Sequence, residues 1–153
     1  MVRPAGRRWG NAMAKVQVET TLHVPASAVW NIVGGFNELA RWHPAVVKSE
    51  EIKEKGGVTA RRLTLSDGGV IVAQLEQHDE KARTYSYSVV ETPLPVAGYR
   101  ASLHVREAAD GHSCTVAWVS EFQPAGAPGS EAGRLIRGLY EVGFANLRKL
   151  FGS

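Results

Sequence analysis

Cysteine is almost missing from this chain. Cys114 is the only one, so no internal disulfide can form, which suits a reducing compartment and an expected cytoplasmic location. Long apolar runs are missing as well. None exceeds the length of Val70-Ile71-Val72-Ala73, against the ~20 residues that span a bilayer, so membrane insertion is not expected. No two histidines sit at metal-ligand spacing, and no Cys-x-x-Cys or His-Glu-x-x-His pattern occurs; neither metal nor cofactor is expected. There is no Gly-x-Ser-x-Gly elbow and no phosphate-cradling loop, since Gly34-Gly35 is only a pair.

An excess of one charge sign is also absent from the body. The net charge of +3 is carried by Arg3, Arg7 and Arg8, all before Met13. A basic pI can signal nucleic acid, but a short arm on a neutral body does not. No apolar stretch follows these arginines, so the arm does not read as a secretory signal. Residues 1–14 are expected to be a disordered basic arm, and residues 15–153 a single domain.

What is present is alternation. Val16, Val18, Thr20, Leu22 and Val24 alternate with polar residues, which predicts a strand. Pro25-Ala26-Ser27 opens a helix that Gly34-Gly35 ends, and a second short helix is predicted over Asn37 to Trp42. Strands are predicted from Val46, Val58, Val70, Arg83, Tyr99 and His112, separated by turns short enough to join antiparallel neighbours. Ser130 reads as the N-cap of a long final helix, with Leu135, Ile136, Leu139, Val142, Leu147, Leu150 and Phe151 at helical spacing. The fold class is α+β: a seven-stranded curved antiparallel sheet around one long helix.

One helix is about 10–12 Å wide. A sheet this broad must curl around it and leave a hollow beside it, expected at roughly 300–1,000 Å³. By parity Tyr85, Tyr87 and Val89 face inward, as do Tyr99, Ala101, Leu103 and Val105 on the next strand and Val116, Trp118 and Ser120 on the last. Rings with polar handles are a poor recipe for a dry core, because a buried Tyr or Trp needs a hydrogen-bond partner. Cys114 belongs to an alternating run and reads as a buried structural residue. His43 ends the second helix near the expected mouth. Arg61 and Arg62 lie on a strand whose parity is left open, since Leu63 and Leu65 contradict turning Arg62 inward.

Val29-Trp30 with Phe36, Leu39-Ala40-Arg41-Trp42-His43-Pro44, Pro93-Leu94-Pro95-Val96 with Tyr99-Arg100, and Trp118 with Phe122-Gln123-Pro124-Ala125-Gly126 follow one another in a fairly specific order. Over about residues 16 to 151 the chain resembles the START-type, birch-pollen-allergen-like helix-grip superfamily, in its polyketide cyclase/dehydrase-like bacterial branch. The resemblance implies a deep apolar pocket between sheet and final helix, gated by loops. In the plant abscisic-acid receptors of that superfamily, the loop equivalent to Ser66-Asp67-Gly68-Gly69 is a gate and that equivalent to Leu94-Pro95-Val96 a latch. This chain has Ala73 where those receptors carry a pocket carboxylate and Val46 near their pocket lysine, so hormone recognition does not carry over.

The expected ligand-binding residues are Phe36, Trp42, Ile71, Ala73, Tyr85, Tyr87, Val89, Leu94, Tyr99, Ala101, Leu103, Val116, Trp118 and Leu139. His43, Tyr87 and Tyr99 are the candidates for catalysis. The leading expectation is a binder of a lipid-like or polyketide-like small molecule; the alternative is a cyclase or dehydratase acting on one. A third reading, an interaction module, has only composition behind it. No nucleic-acid partner is expected, and monomer and homodimer both stay open.

Deleting Met1 to Ala12 removes three charges and no periodic apolar residue. The melting temperature should barely change, and any nucleic-acid affinity should vanish with the arm. A stability loss above about 1 kcal/mol in thermal unfolding would mean that the arm packs on the body.

Overall fold

The structure is a computed structural model and describes residues 13–152. The three arginines of the arm lie outside the described residues. Strand β1 runs over Ala14–Leu22 and therefore begins inside the segment expected to be arm. Helix α1 spans Ala26–Val33, a 3₁₀ turn Leu39–Arg41, and then come β2 (Val46–Glu54), β3 (Val58–Leu65), β4 (Val70–Asp79), β5 (Thr84–Glu91), β6 (Val96–Glu107), β7 (Cys114–Pro124) and helix α2 (Gly129–Leu150).

The seven strands form one antiparallel sheet in the order β1-β7-β6-β5-β4-β3-β2. Strands β2 to β7 are a meander, and β1 joins it beside β7, so the first two strands lie at opposite edges. The segment between them, α1 and the 3₁₀ turn, must cross the open end of the curl. Bulges bend the sheet between β2 and β3, twice between β4 and β5, and between β6 and β7.

Helix α1 starts after Pro25, whose φ of −63° suits a helix entry. The carboxylate of Glu107 accepts the N–H of Ala26 at 3.1 Å, placing negative charge at the positive end of the helix. The second expected helix, Asn37 to Trp42, is only the single turn Leu39–Arg41. His43 and Pro44 follow too closely for another helical turn, because the residue before a proline is pushed out of the helical region.

Helix α2 begins one residue before the expected cap. Pro128 takes the N-cap position without a side-chain bond, and Ser130 lies inside the first turn. Its buried stripe is Ala132, Ile136, Tyr140, Gly143, Phe144 and Leu147. Leu135, Val142 and Leu150, expected on the inner face, are 45%, 45% and 55% exposed. Tyr140 and Gly143 hold those inner places, and neither registers as strongly apolar in a periodicity reading.

The helix packs chiefly on β1 and β7. It is fastened to the crossing segment by a side-chain cluster. Asn146 Nδ2 donates to the Trp42 carbonyl at 2.9 Å, and His43 Nε2 donates to the Leu139 carbonyl at 2.7 Å. Gly143 makes this approach possible: a Cβ there would stand 2.7 Å from His43 Cδ2 and 3.0 Å from Trp42 Cζ3.

Gly143→Ala should therefore destabilise the protein by about 1–3 kcal/mol, the usual cost of overpacking, although alanine is the better helix former by about 1 kcal/mol. Denaturant unfolding measures the difference. A neutral or stabilising result would show that the Trp42-His43 segment docks loosely.

Candidate functional site

Because α2 sits over β1 and β7, the inner face of the sheet at β3, β4 and β5 is left without a helix above it. A cavity lies there. Its walls are Arg61, Leu63 and Leu65 of β3, Ile71 and Ala73 of β4, Tyr87 and Val89 of β5, Val96 and Tyr99 of β6, and Trp118 of β7. Ile136, Leu139 and Tyr140 of α2 form one side, while Leu39, His43 and Val46, then Thr92 and Leu94, close the end.

The cavity measures about 60 Å³. At ~10–15 Å³ per water it admits only a handful of waters, far less than the expected hollow. Two features narrow it. Large side chains (Arg61, Tyr87, Tyr99, Tyr140) project from its walls. Over the mouth the β3–β4 turn meets the proline loop after β5: a Cβ on Gly69 would lie 3.2 Å from Pro93 Cγ. Asp67 Oδ1 accepts the Gly69 N–H at 2.8 Å and holds that turn in shape.

Of the residues expected to bind a ligand, Ile71, Ala73, Tyr87, Val89, Leu94, Tyr99, Trp118 and Leu139 line this cavity, as does the catalytic candidate His43. Phe36, Trp42, Tyr85, Ala101, Leu103 and Val116 belong to the packed core and do not reach the cavity wall. Ala101 lies between Tyr87 and Ser120 in the strand register. The sequence leaves Arg61 open and does not single out Tyr140. Parity carried the signal for Arg61, which is two and four residues from the inward Leu63 and Leu65. For Tyr140 it was its place four residues after Ile136.

The polar groups of the wall are mostly donors. Trp118 Nε1 donates to Tyr87 Oη at 3.0 Å, and the Trp118 indole stacks on Tyr140 with centroids 4.2 Å apart. The hydroxyls of Tyr99 and Tyr140 are hydrogen-bonded to one another. Burial lifts the phenols of Tyr87, Tyr99 and Tyr140 well above the ordinary tyrosine value; neighbouring phenols add to the lift, and the charge of Arg61 opposes it at Tyr87 and Tyr140. All three are neutral hydrogen-bond donors at physiological pH.

His43 is 3% exposed and both ring nitrogens are engaged, Nε2 toward Leu139 and Nδ1 accepting from the Ala45 N–H at 3.2 Å. Desolvation lowers its pKa below 6.5, the bond to Leu139 opposes this, and the charge of Arg61 adds to it. The imidazole is neutral, with its proton on Nε2. Cys114, fully buried, has its thiol pKa raised by desolvation and by Glu107, and this works against a nucleophilic role. Among the described residues no group of His, Cys, Asp or Glu is placed to hold a metal ion, and no helix is long and apolar enough to cross a membrane.

A seven-stranded sheet gripping one long helix, with an apolar cavity between them, defines a helix-grip protein. The chain belongs to the family described as "Polyketide cyclase / dehydrase and lipid transport", which it matches over residues 13–152. It is similar to the solved structure of the protein XoxI from Bacillus cereus, at 31% identity and TM-score 0.84 over 90% of this chain and 95% of that one. A putative uncharacterised protein from Bacillus thuringiensis is as similar, at 31% identity and TM-score 0.84 over 92% and 100%. The Zhui aromatase/cyclase from Streptomyces sp. R1128 shares the fold at 18% identity, TM-score 0.68, over 91% and 96%. No curated protein matches the chain significantly.

The neutral His43 has a consequence for stability. Below pH 6.5 the unfolded chain binds a proton there that the folded chain resists. The stability His43 contributes is thus complete above pH 6.5 and is lost as pH falls through its lowered folded value. Thermal unfolding at pH 7.5 and 5.5 should show a larger loss for the wild type than for His43→Gln. Equal losses would assign the acid sensitivity to other groups.

Proposed function

We propose that this protein binds a hydrophobic small molecule, lipid-like or polyketide-like, in the cavity between β3–β6 and α2. The observation that carries this reading is the cavity itself: an almost wholly aliphatic and aromatic wall meeting a few convergent polar groups, at the place the helix leaves uncovered. At about 60 Å³ it is too narrow for such a ligand as it stands. Entry therefore goes with parting of the Ser66–Gly69 turn and the Thr92–Pro95 loop, whose contact at Gly69 and Pro93 covers the mouth. Both are surface turns, the elements that move at least cost.

Binding without chemistry is favoured over a cyclase or dehydratase. Those reactions need a group that accepts a proton. Tyr87 and Tyr99 are held protonated, His43 has both nitrogens engaged, and among the described residues no carboxylate lines the cavity. Tyr87 could still donate a hydrogen bond to an enolate oxygen, which is the part of the enzymatic reading that survives.

The neutral dye N-phenyl-1-naphthylamine should bind with micromolar affinity and gain fluorescence, and native mass spectrometry should find a co-purified small molecule. Val89→Trp, which fills the half-buried wall near the mouth, should weaken dye binding at least tenfold. It should cost less than the ~1–3 kcal/mol of overpacking a closed core. No dye binding together with no co-purified molecule would remove the ligand-binding reading.

A further inference from the structure

Arg61 is 1% exposed, among the most deeply buried large side chains of the molecule, and it lines the cavity. Its single hydrogen bond among the described residues runs from Nη1 to the Phe36 carbonyl at 2.6 Å, and Nε has no acceptor. The guanidinium carbon lies 4.3 Å from the Phe36 ring centroid and 4.7 Å from that of Tyr87, so aromatic faces hold the cation in place. Ring faces and one carbonyl do not neutralise a buried charge, which ordinarily requires a paired and hydrogen-bonded anion.

The described residues do not supply that anion. Among the described residues no carboxylate lies within ion-pair distance of Arg61, and none lines the cavity. The register shows why. On β4 the residue paired with Arg61 is Ala73, which has no functional group. On β2 it is Glu51, whose side chain is 54% exposed and lies 3.7 Å from Lys53 Nζ. Tyr87 lies beside the guanidinium, and its oxygen receives the Trp118 N–H while its hydroxyl also bonds that of Tyr99. The wall offers donors and a positive charge, and what it lacks is an anionic acceptor.

We propose that the ligand is an amphipathic carboxylic acid. It is bound as its anion, with the carboxylate on the Nε side of Arg61 and within reach of the Tyr87 hydroxyl, and its apolar body along Leu63, Ile71, Val89 and Leu139. A guanidinium edge meets a carboxylate with two parallel hydrogen bonds, a geometry that a hydroxyl or an ester cannot copy. This rests on the ligand-binding reading above and adds to it the chemical class.

The test is isothermal titration calorimetry at pH 7.5 with decanoate, decan-1-ol and methyl decanoate. Decanol and the ester are the more apolar, so an unspecific greasy cavity prefers them. The wild type is expected to bind decanoate at least tenfold more tightly than either. Arg61→Met, which keeps the length and removes the charge, should bind all three with affinities within about threefold. Decanoate should raise the melting temperature of the wild type and not of the variant. Wild type binding all three equally, or a decanoate preference surviving in Arg61→Met, overturns the carboxylate assignment and leaves the cavity reading intact. Binding of none of them, with no dye binding either, brings down both. Should Arg61→Met fail to fold, the wild-type comparison and Arg61→Lys decide. Lysine keeps the charge but loses the fork, so the preference for decanoate should shrink without vanishing, and a preference for the alcohol in either protein overturns the assignment.

Discussion

One helix cannot cover seven strands, and most of this molecule follows from that mismatch. Seven strands at about 4.8 Å spacing span about 29 Å, while a helix with its side chains is about 10–12 Å across. The bulges in β2/β3, β4/β5 and β6/β7 curl the sheet, and α2 takes the β1–β7 side of the curl. The inner faces of β3, β4 and β5 must then be covered by something else. Here the crossing segment from Leu39 to Val46 supplies part of the cover, and the aromatic side chains of the sheet supply more. The remainder is the cavity. Its position is thus set by where the helix docks, and the docking is set by the Gly143 notch that receives Trp42 and His43.

Filling such a space with rings that carry polar handles brings an obligation, since each handle must find a partner away from water. The Trp118 indole and Tyr87 hydroxyl answer one another, as do the Tyr99 and Tyr140 hydroxyls, and His43 is tied at both nitrogens. Arg61 Nε, Trp42 Nε1, Tyr85 Oη and Ser120 Oγ are left over. Two of the four are donors and nothing else, the other two are hydroxyls that can donate or accept, and Arg61 is the one that carries a charge.

Strand alternation made the architecture legible from the sequence. Tyr85, Tyr87, Tyr99, Leu103, Val116 and Trp118 are all buried as their parity requires. The helices were harder to read. The inner stripe of α2 uses Ala132, Tyr140 and Gly143, chosen for fit against the sheet and the Trp42-His43 segment, and these do not stand out by hydropathy. Leu135 and Val142 do stand out, and they face solvent. Wall and core could not be separated either, because parity gives a side and not a depth. Ala101 and Tyr87 share the inner side, yet Tyr87 lines the cavity and Ala101 does not.

Arg61 shows the same limit from another direction. The parity of its strand is open in the sequence, Leu63 and Leu65 opposing an inward Arg62, and no carboxylate is clearly placed to pair with a buried guanidinium. The structure buries it and leaves the cost unmet. A core selected for stability alone would place methionine or leucine at such a position, since apolar replacements of buried charges are often neutral or stabilising. Local rules are broken in folded proteins mainly where a site needs them broken. Here the departure falls on the cavity wall, opposite an alanine that could have been an acid, and the neighbouring Glu51 turns outward. The same sheet that buries its other inward aromatics and aliphatics by the ordinary rule holds one uncompensated cation at the apolar cavity beside its helix. That coincidence of place ties the unsatisfied charge to the cavity rather than to the fold.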